Sequence, residues 1–176
     1  MALRRLAYSQ GVPQLQRMSV EHESAVLVFE LENRSYFAAS ISDRGEAYFA
    51  HFADRQAELL AEQERGECAY YVLVEDDGSI LGRFNLRGID NGSAVLGYRV
   101  AQRAAGRGVA TATVDELCRF AASGLGLRRI RAATSDANIA SQRVLVKAGF
   151  VLVGRADPGE LGGKPGSWYE RHLASS

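Results

Sequence analysis

The stretch Gly97–Ala112, GYRVAQRAAGRGVATA, holds the residue types in this chain best suited to chemistry. Tyr98 and Val100 are β-formers at alternate positions. Gly106 and Gly108 flank Arg107, and Ala110, Val114, Leu117, Cys118 and Ala121 then recur at helical spacing. A glycine turn that opens a helix presents unpaired backbone N–H groups at the positive end of the helix dipole. Those groups suit a phosphate, and glycine lets it come close to the backbone. The residues placed to form such a cradle are Ala105, Gly106, Arg107, Gly108, Val109, Ala110 and Thr111. A tight strand-to-helix turn that binds nothing has the same local pattern, so the turn alone leaves both uses open. Other chemistries find no starting point. His22, His51 and His172 make no constellation with a serine or cysteine nucleophile, which argues against a hydrolase triad. Cys68 and Cys118 are too far apart for a metal-binding pair, and no metal is expected. The turn is not followed by Gly-Lys-Ser/Thr, which argues against a phosphate-binding-loop NTPase.

The elements around the turn must hold it in place. A chain of 176 residues suffices for one domain, 1–176, with a real core. Formal net charge is zero, so neither nucleic acid nor an anionic membrane is expected as a partner. The first residues contain an Arg pair but no apolar segment of the secretory kind, and no run is long enough to span a membrane. A cytoplasmic protein with two free cysteines is expected, as a monomer or homodimer, with residues 1–11 loosely ordered.

In chain order, Gln14–Met18 reads as a short edge strand. Ser19 caps a helix running to about Asn33, with Val26 and Phe29 on its inner face. Asn33–Gly45 is a polar and aromatic connection. One longer helix, Glu46–Gln63, turns Phe49, Phe52, Ala53, Leu59 and Leu60 inward and ends at Gly66. Strands follow at Cys68–Glu75, Ile80–Arg87 and Ala94–Val100, joined by the hairpin signals Asp77-Gly78 and Asn91-Gly92. The helix after the glycine turn ends at Gly124 and Gly126. A strand at Arg129–Thr134, a helix capped at Asp136 and stopped by Gly149, a strand at Phe150–Ala156, a turn-rich loop and a last strand at Ser167–Ala174 complete the order. The fold class is α/β, a mixed α+β sheet. A largely antiparallel meander enters a βαβ unit at the glycine turn, with helices on both faces. Ligands of such sheets sit at strand carboxyl ends, near the switch in order.

From the meander to Phe150 the chain resembles the GNAT superfamily of acetyl-coenzyme A-dependent N-acetyltransferases. The signature of that family is Gln or Arg, two residues, Gly, one residue, then Gly or Ala. It falls on Ala105, Gly108 and Ala110, with Ala105 in place of Gln or Arg. The register Arg103, Gly106, Gly108 matches the letters but starts the helix two residues early, and Ala110-Thr111 favours the first through the GxGxAT pattern of one branch. NIASQRVLVKAGF (Asn138–Phe150) looks like the NxxSxxVLxKxGF segment of the RimJ/RimL branch, which acetylates ribosomal-protein N-termini. Asn138, Ser141 and Leu145 share one helix face. Many family members carry at the last of these a tyrosine that protonates the coenzyme thiolate. Leu145 cannot, and Ser141 is the remaining hydroxyl on that face. FELENRSYF (Phe29–Phe37) looks like the segment of that branch that borders the acceptor, which implicates Asn33, Arg34 and Tyr36.

The resemblance implies acetyl-coenzyme A as cosubstrate and a GNAT-like fold. The pyrophosphate would lie over the N–H groups of about Arg107–Thr111, and the pantetheine would run beside Tyr98, Val100 and Gln102 like an added strand. A backbone N–H near Tyr98–Val100 would polarise the acetyl carbonyl, and Asn138 and Ser141 would serve the chemistry. The implied acceptor is a primary amine, first of all a protein N-terminal α-amine of the ribosomal-protein type. Alternatives are a small amine (antibiotic, polyamine or amino acid) and a coenzyme A-binding module without catalysis. No motif marks a base. Glu32, Glu46, Glu160 and Glu170 are the candidates, on segments that the family places near the acceptor.

Overall fold

A computed structural model of the protein describes residues 11–174. Apart from Gly11, the segment expected to be loosely ordered lies outside the described residues. One seven-stranded sheet runs through the molecule in the order β1-β2-β3-β4-β5-β7-β6. Its strands are β1 (Gln14–Arg17), β2 (Cys68–Val74), β3 (Ile80–Asp90), β4 (Ser93–Val100), β5 (Arg129–Ser135), β6 (Val151–Ala156) and β7 (Gly166–His172). Among the described residues only β4 and β5 pair in parallel, across the helix α5 (Val109–Leu125), so the expected meander and βαβ unit are both present.

The strand β2, CAYYVLV, is apolar without alternation because both of its faces are covered. In β2 the neighbours Tyr70 and Tyr71 point opposite ways. The Tyr70 hydroxyl donates to Glu62 of α4 (Phe52–Glu64) at 2.6 Å, whereas the Tyr71 ring meets Phe120 of α5 at 5.8 Å between centroids. Helices therefore lie on opposite faces of the sheet. The α5 stripe of Val114, Leu117, Cys118 and Ala121 is buried as its spacing predicts. The first hairpin turns through Gly78 (φ 85°) and the second through Asn91-Gly92, both in the left-handed region at φ 48° and 74°.

Three local expectations need correction. The connection after Asn33 contains a short helix, α2 (Arg34–Ala38). The helix expected over Glu46–Gln63 is two, α3 (Glu46–Ala50) and α4, broken at His51 (φ −114°, ψ 29°). The break turns the stripe: Tyr48, Phe52, Gln56 and Gln63 are buried and Ala53 is exposed. Finally, α6 (Ile139–Lys147) is capped by Asn138, whose Oδ1 accepts from the Ser141 N–H at 3.1 Å, not by Asp136. Asp136 instead pairs with Arg155 of β6 at 2.8 Å. The first long helix, α1 (Glu23–Glu32), follows a short helical turn at Val20–His22 and buries Val26 and Phe29.

Candidate active site

The sheet is split where β4 and β5 part. They pair only over Ser93–Val95 with Arg129–Arg131. Past that point β5 follows β7 along its whole length, and the second half of β4 is bonded to β3 alone. The wedge leaves Leu96–Val100 with an edge of backbone groups unclaimed by a neighbouring strand. Two cavities meet in it, a groove of about 440 Å³ on the side of the glycine turn and a chamber of about 500 Å³ on the other.

The groove is built by the turn and by α6. Gly106 (φ 73°) and Gly108 (φ 77°) hold left-handed backbone that other residues rarely adopt. Gly108 caps α5 without a side chain, and Ala112 N–H is the one that bonds back to Gly108 C=O, at 3.0 Å. The N–H groups of Val109, Ala110 and Thr111 come before it and have no acceptor within the helix. Ala105, Gly106, Gly108, Val109, Ala110 and Thr111 all line the groove. So do Arg143 and Lys147, one turn apart on α6, which sequence reasoning did not single out. Two cations and a helix N-terminus make the groove a place for an anion. Arg107 and Gln102 lie outside its lining. The Arg107 side chain turns back to Arg103 C=O at 3.5 Å, and the Gln102 N–H donates to Asn33 Oδ1 at 2.9 Å.

Tyr98, Arg99, Asn138 and Ser141 line both cavities and so stand at their junction. Tyr98 Oη and Ser141 Oγ are 3.0 Å apart. The Tyr98 ring stacks on Phe84 at 5.9 Å, which fixes its direction. Burial pushes the Tyr98 hydroxyl up to about 12, against the bond to Ser141, so at neutral pH it keeps its proton. Leu145 is fully buried beneath this point. A tyrosine hydroxyl thus reaches the site, but from β4 rather than from α6. Val100 continues the groove from the end of β4.

Around the second chamber the four carboxylate candidates separate. Glu160 lines the chamber, its Oε2 accepting from Trp168 Nε1 and from the Asp157 N–H, both at 3.1 Å. Glu32 is exposed and outside both cavities. Glu46 is held by Arg34 at 2.7 Å, and Glu170 lies 2.9 Å from His172 and 3.7 Å from Arg131. Asn33 and Arg34 are also outside the chamber. Asn33 is buried and ties α1 to the end of β4, through Phe29 C=O and Gln102 N–H. Arg34 grips Asp43 and Glu46 and lies over the Phe49 ring at 4.7 Å. Tyr36 lines the groove. None of the three histidines lines either cavity.

Sequence reasoning also missed Glu30. It is 2 % exposed, and its carboxylate meets Arg83 at 2.6 Å, Arg99 at 3.0 Å and Arg44 at 3.9 Å. Arg99 also lies over the Phe37 ring at 4.8 Å, and burial pulls its guanidinium down to about 10 while Glu30 pushes the other way. A signal existed. Val26, Phe29, Glu30 and Asn33 sit at i, i+3, i+4 and i+7, which places a charge inside an apolar stripe.

A family model described as "Acetyltransferase (GNAT) domain" matches residues 17–151. The Bacillus subtilis (strain 168) protein named "Probable N-acetyltransferase YjcK" is 30% identical over 131 residues, covering 70% of this chain and 72% of the relative. Among solved structures, the ribosomal-protein-S5-alanine acetyltransferase from Vibrio fischeri superposes with a TM-score of 0.85 at 20% identity, over 95% of this chain and 96% of the other. RimJ of Mycobacterium smegmatis, in complex with CoA-disulfide, does so with a TM-score of 0.82 at 21% identity, over 92% and 82%. At these identities the two superpositions speak for the fold.

Proposed function

Given that the chain belongs to the GNAT acetyltransferase family, we propose that it moves the acetyl group of acetyl-coenzyme A to a peptide N-terminal α-amine, of the ribosomal-protein type. The observation that carries this is the wedge between β4 and β5, where an anion-binding groove and a second chamber meet at Tyr98 and Ser141. The shared fold of a ribosomal-protein alanine acetyltransferase supports the choice of acceptor. Acetyl-coenzyme A is the donor in this scheme, with its phosphates on the N–H groups of Val109–Thr111 and beside Arg143 and Lys147. The unclaimed edge of β4 receives the pantetheine and offers an N–H to the acetyl oxygen. The amine enters from the chamber, the new C–N bond forms as the C–S bond breaks, and the amine gives up a proton to Glu160 or to water. Ser141 hydrogen-bonds the departing sulfur and passes it a proton drawn from Tyr98, which takes one back from water before the next turnover. No helix among the described residues is long and apolar enough to cross a membrane.

Two measurements test the scheme. With acetyl-coenzyme A and peptides bearing both amines, mass spectrometry should find the label on the α-amine. Its pKa near ~8, against ~10.4 for lysine, leaves more of it neutral at pH 7. Exclusive labelling of lysine or of small amines would remove the peptide acceptor, and coenzyme binding without any transfer would leave a binding module. Ser141→Ala should lower kcat and kcat/KM together by roughly 10², the low end for acid–base help, with coenzyme affinity kept. A parent rate in single turnovers would leave Ser141 as a helix residue only.

A further inference from the structure

The chain as a whole is neutral, with 21 basic and 21 acidic residues, but the acceptor chamber is not. Arg44, Arg83, Arg87, Arg99 and Lys164 line it, against Glu160 as the one carboxylate among its lining residues. Beneath them the buried Glu30 cancels one further charge through Arg83 and Arg99, so three cations remain in excess. Arg87 makes no ion pair among the described residues, and Lys164, which donates to the Ser40 carbonyl, makes none there either. Arg83, one of these cations, also carries a buried Nε with no hydrogen-bond partner among the described residues.

We propose that the amine accepted here carries an anionic group near its reacting nitrogen. Resting on the peptide acceptor proposed above, this means N-termini whose second and third residues are aspartate or glutamate. A walled cavity with one sign of charge concentrates ligands of the other sign and repels polyamines and basic peptides. It also acts on the nucleophile. Cations around an ammonium group favour its neutral form, the form that attacks. The wall thus takes over part of the work of a base, which fits a chamber that offers Glu160 alone.

The test compares peptides that share the first residue and continue with Asp-Glu, Ala-Ala or Lys-Arg. Affinity is measured by calorimetry in the presence of coenzyme A, and kcat/KM by turnover. Affinity and kcat/KM should both fall from acidic to neutral to basic, by roughly tenfold at each step at low salt, and the spread should narrow as salt is added. Arg87→Glu should abolish or invert the order while leaving the affinity for coenzyme A at the parent value. A flat or reversed order in the parent protein would overturn the proposal. So would a matching loss of coenzyme affinity in Arg87→Glu, because the cations would then serve the donor. If no peptide binds or reacts, the peptide acceptor fails, and the ranking passes to small amines. Acetylation or binding of amino dicarboxylates over spermidine-like polyamines upholds the anionic handle, and the reverse ends it.

Discussion

Replacing Glu30 with alanine is expected to cost ~3–5 kcal/mol of stability, a large share of the ~5–15 kcal/mol that holds a domain of this kind folded. The size follows from where its partners can go. The Arg99 and Arg44 side chains are 18% and 32% exposed and can turn toward water. Arg83, 4% exposed and 2.6 Å from the Glu30 carboxylate, cannot, and would keep an uncompensated charge in the core. The same carboxylate joins α1 to β3 and β4, partners 53 and 69 residues away in sequence, so its loss also loosens one wall of the proposed acceptor chamber. Urea unfolding measures the loss. Glu30→Met combined with Arg83→Met removes both charges and should recover most of it, since a buried ion pair replaced by apolar side chains is often neutral. A Glu30→Ala midpoint within ~0.5 kcal/mol of the parent would mean that this cluster is solvated and does not join helix to sheet.

How much of this could be read from the sequence depends on how far each feature reaches along the chain. Local signals held. Asp77-Gly78 and Asn91-Gly92 mark the two turns of the meander because each carries its own left-handed backbone preference. Gly108 and the stripe behind it place the start of α5 for the same reason. The break at His51 was missed, as no glycine or proline marks it and residues 46–63 are compatible with one continuous helix. Features that depend on tertiary pairing were out of reach. Tyr98 and Ser141 are 43 residues apart, and their contact exists only because β4 runs past α6. Gln63, at first sight a surface residue of α4, is buried as a bridge between Met18 C=O and the Tyr70 N–H. Glu30 stood in plain view on a core face, yet its charge was intelligible only once three arginines from elsewhere surrounded it. The same holds for the proposed acceptor chamber. Its cations come from the loop before α3, from β3, β4 and the approach to β7, and a chain of zero net charge gives no hint that they converge.

Gly108→Asp should separate folding from coenzyme binding. The position holds φ 77° and ψ 0°, a left-handed conformation that costs most residues ~1–2 kcal/mol but that aspartate visits more readily than most. A Cβ added there meets no atom within 4 Å. The new carboxylate would stand at the positive end of α5, a helix of 17 residues, where a negative charge is favoured. The variant is therefore expected to fold and to melt close to the parent. Binding is a different matter. The carboxylate would take the place at the N–H groups of Val109–Thr111 that the proposed mechanism gives to the pyrophosphate, and like charges set side by side cost several kcal/mol. The expected loss of affinity for coenzyme A is roughly 10³-fold, measured by calorimetry on folded protein. Gly108→Asn fills the same space without the charge and should lose less, which divides the effect between shape and electrostatics. If both variants bind coenzyme A as the parent does, the glycine turn is a tight connection and the phosphates lie elsewhere, with Arg143 and Lys147 as the next cations to replace.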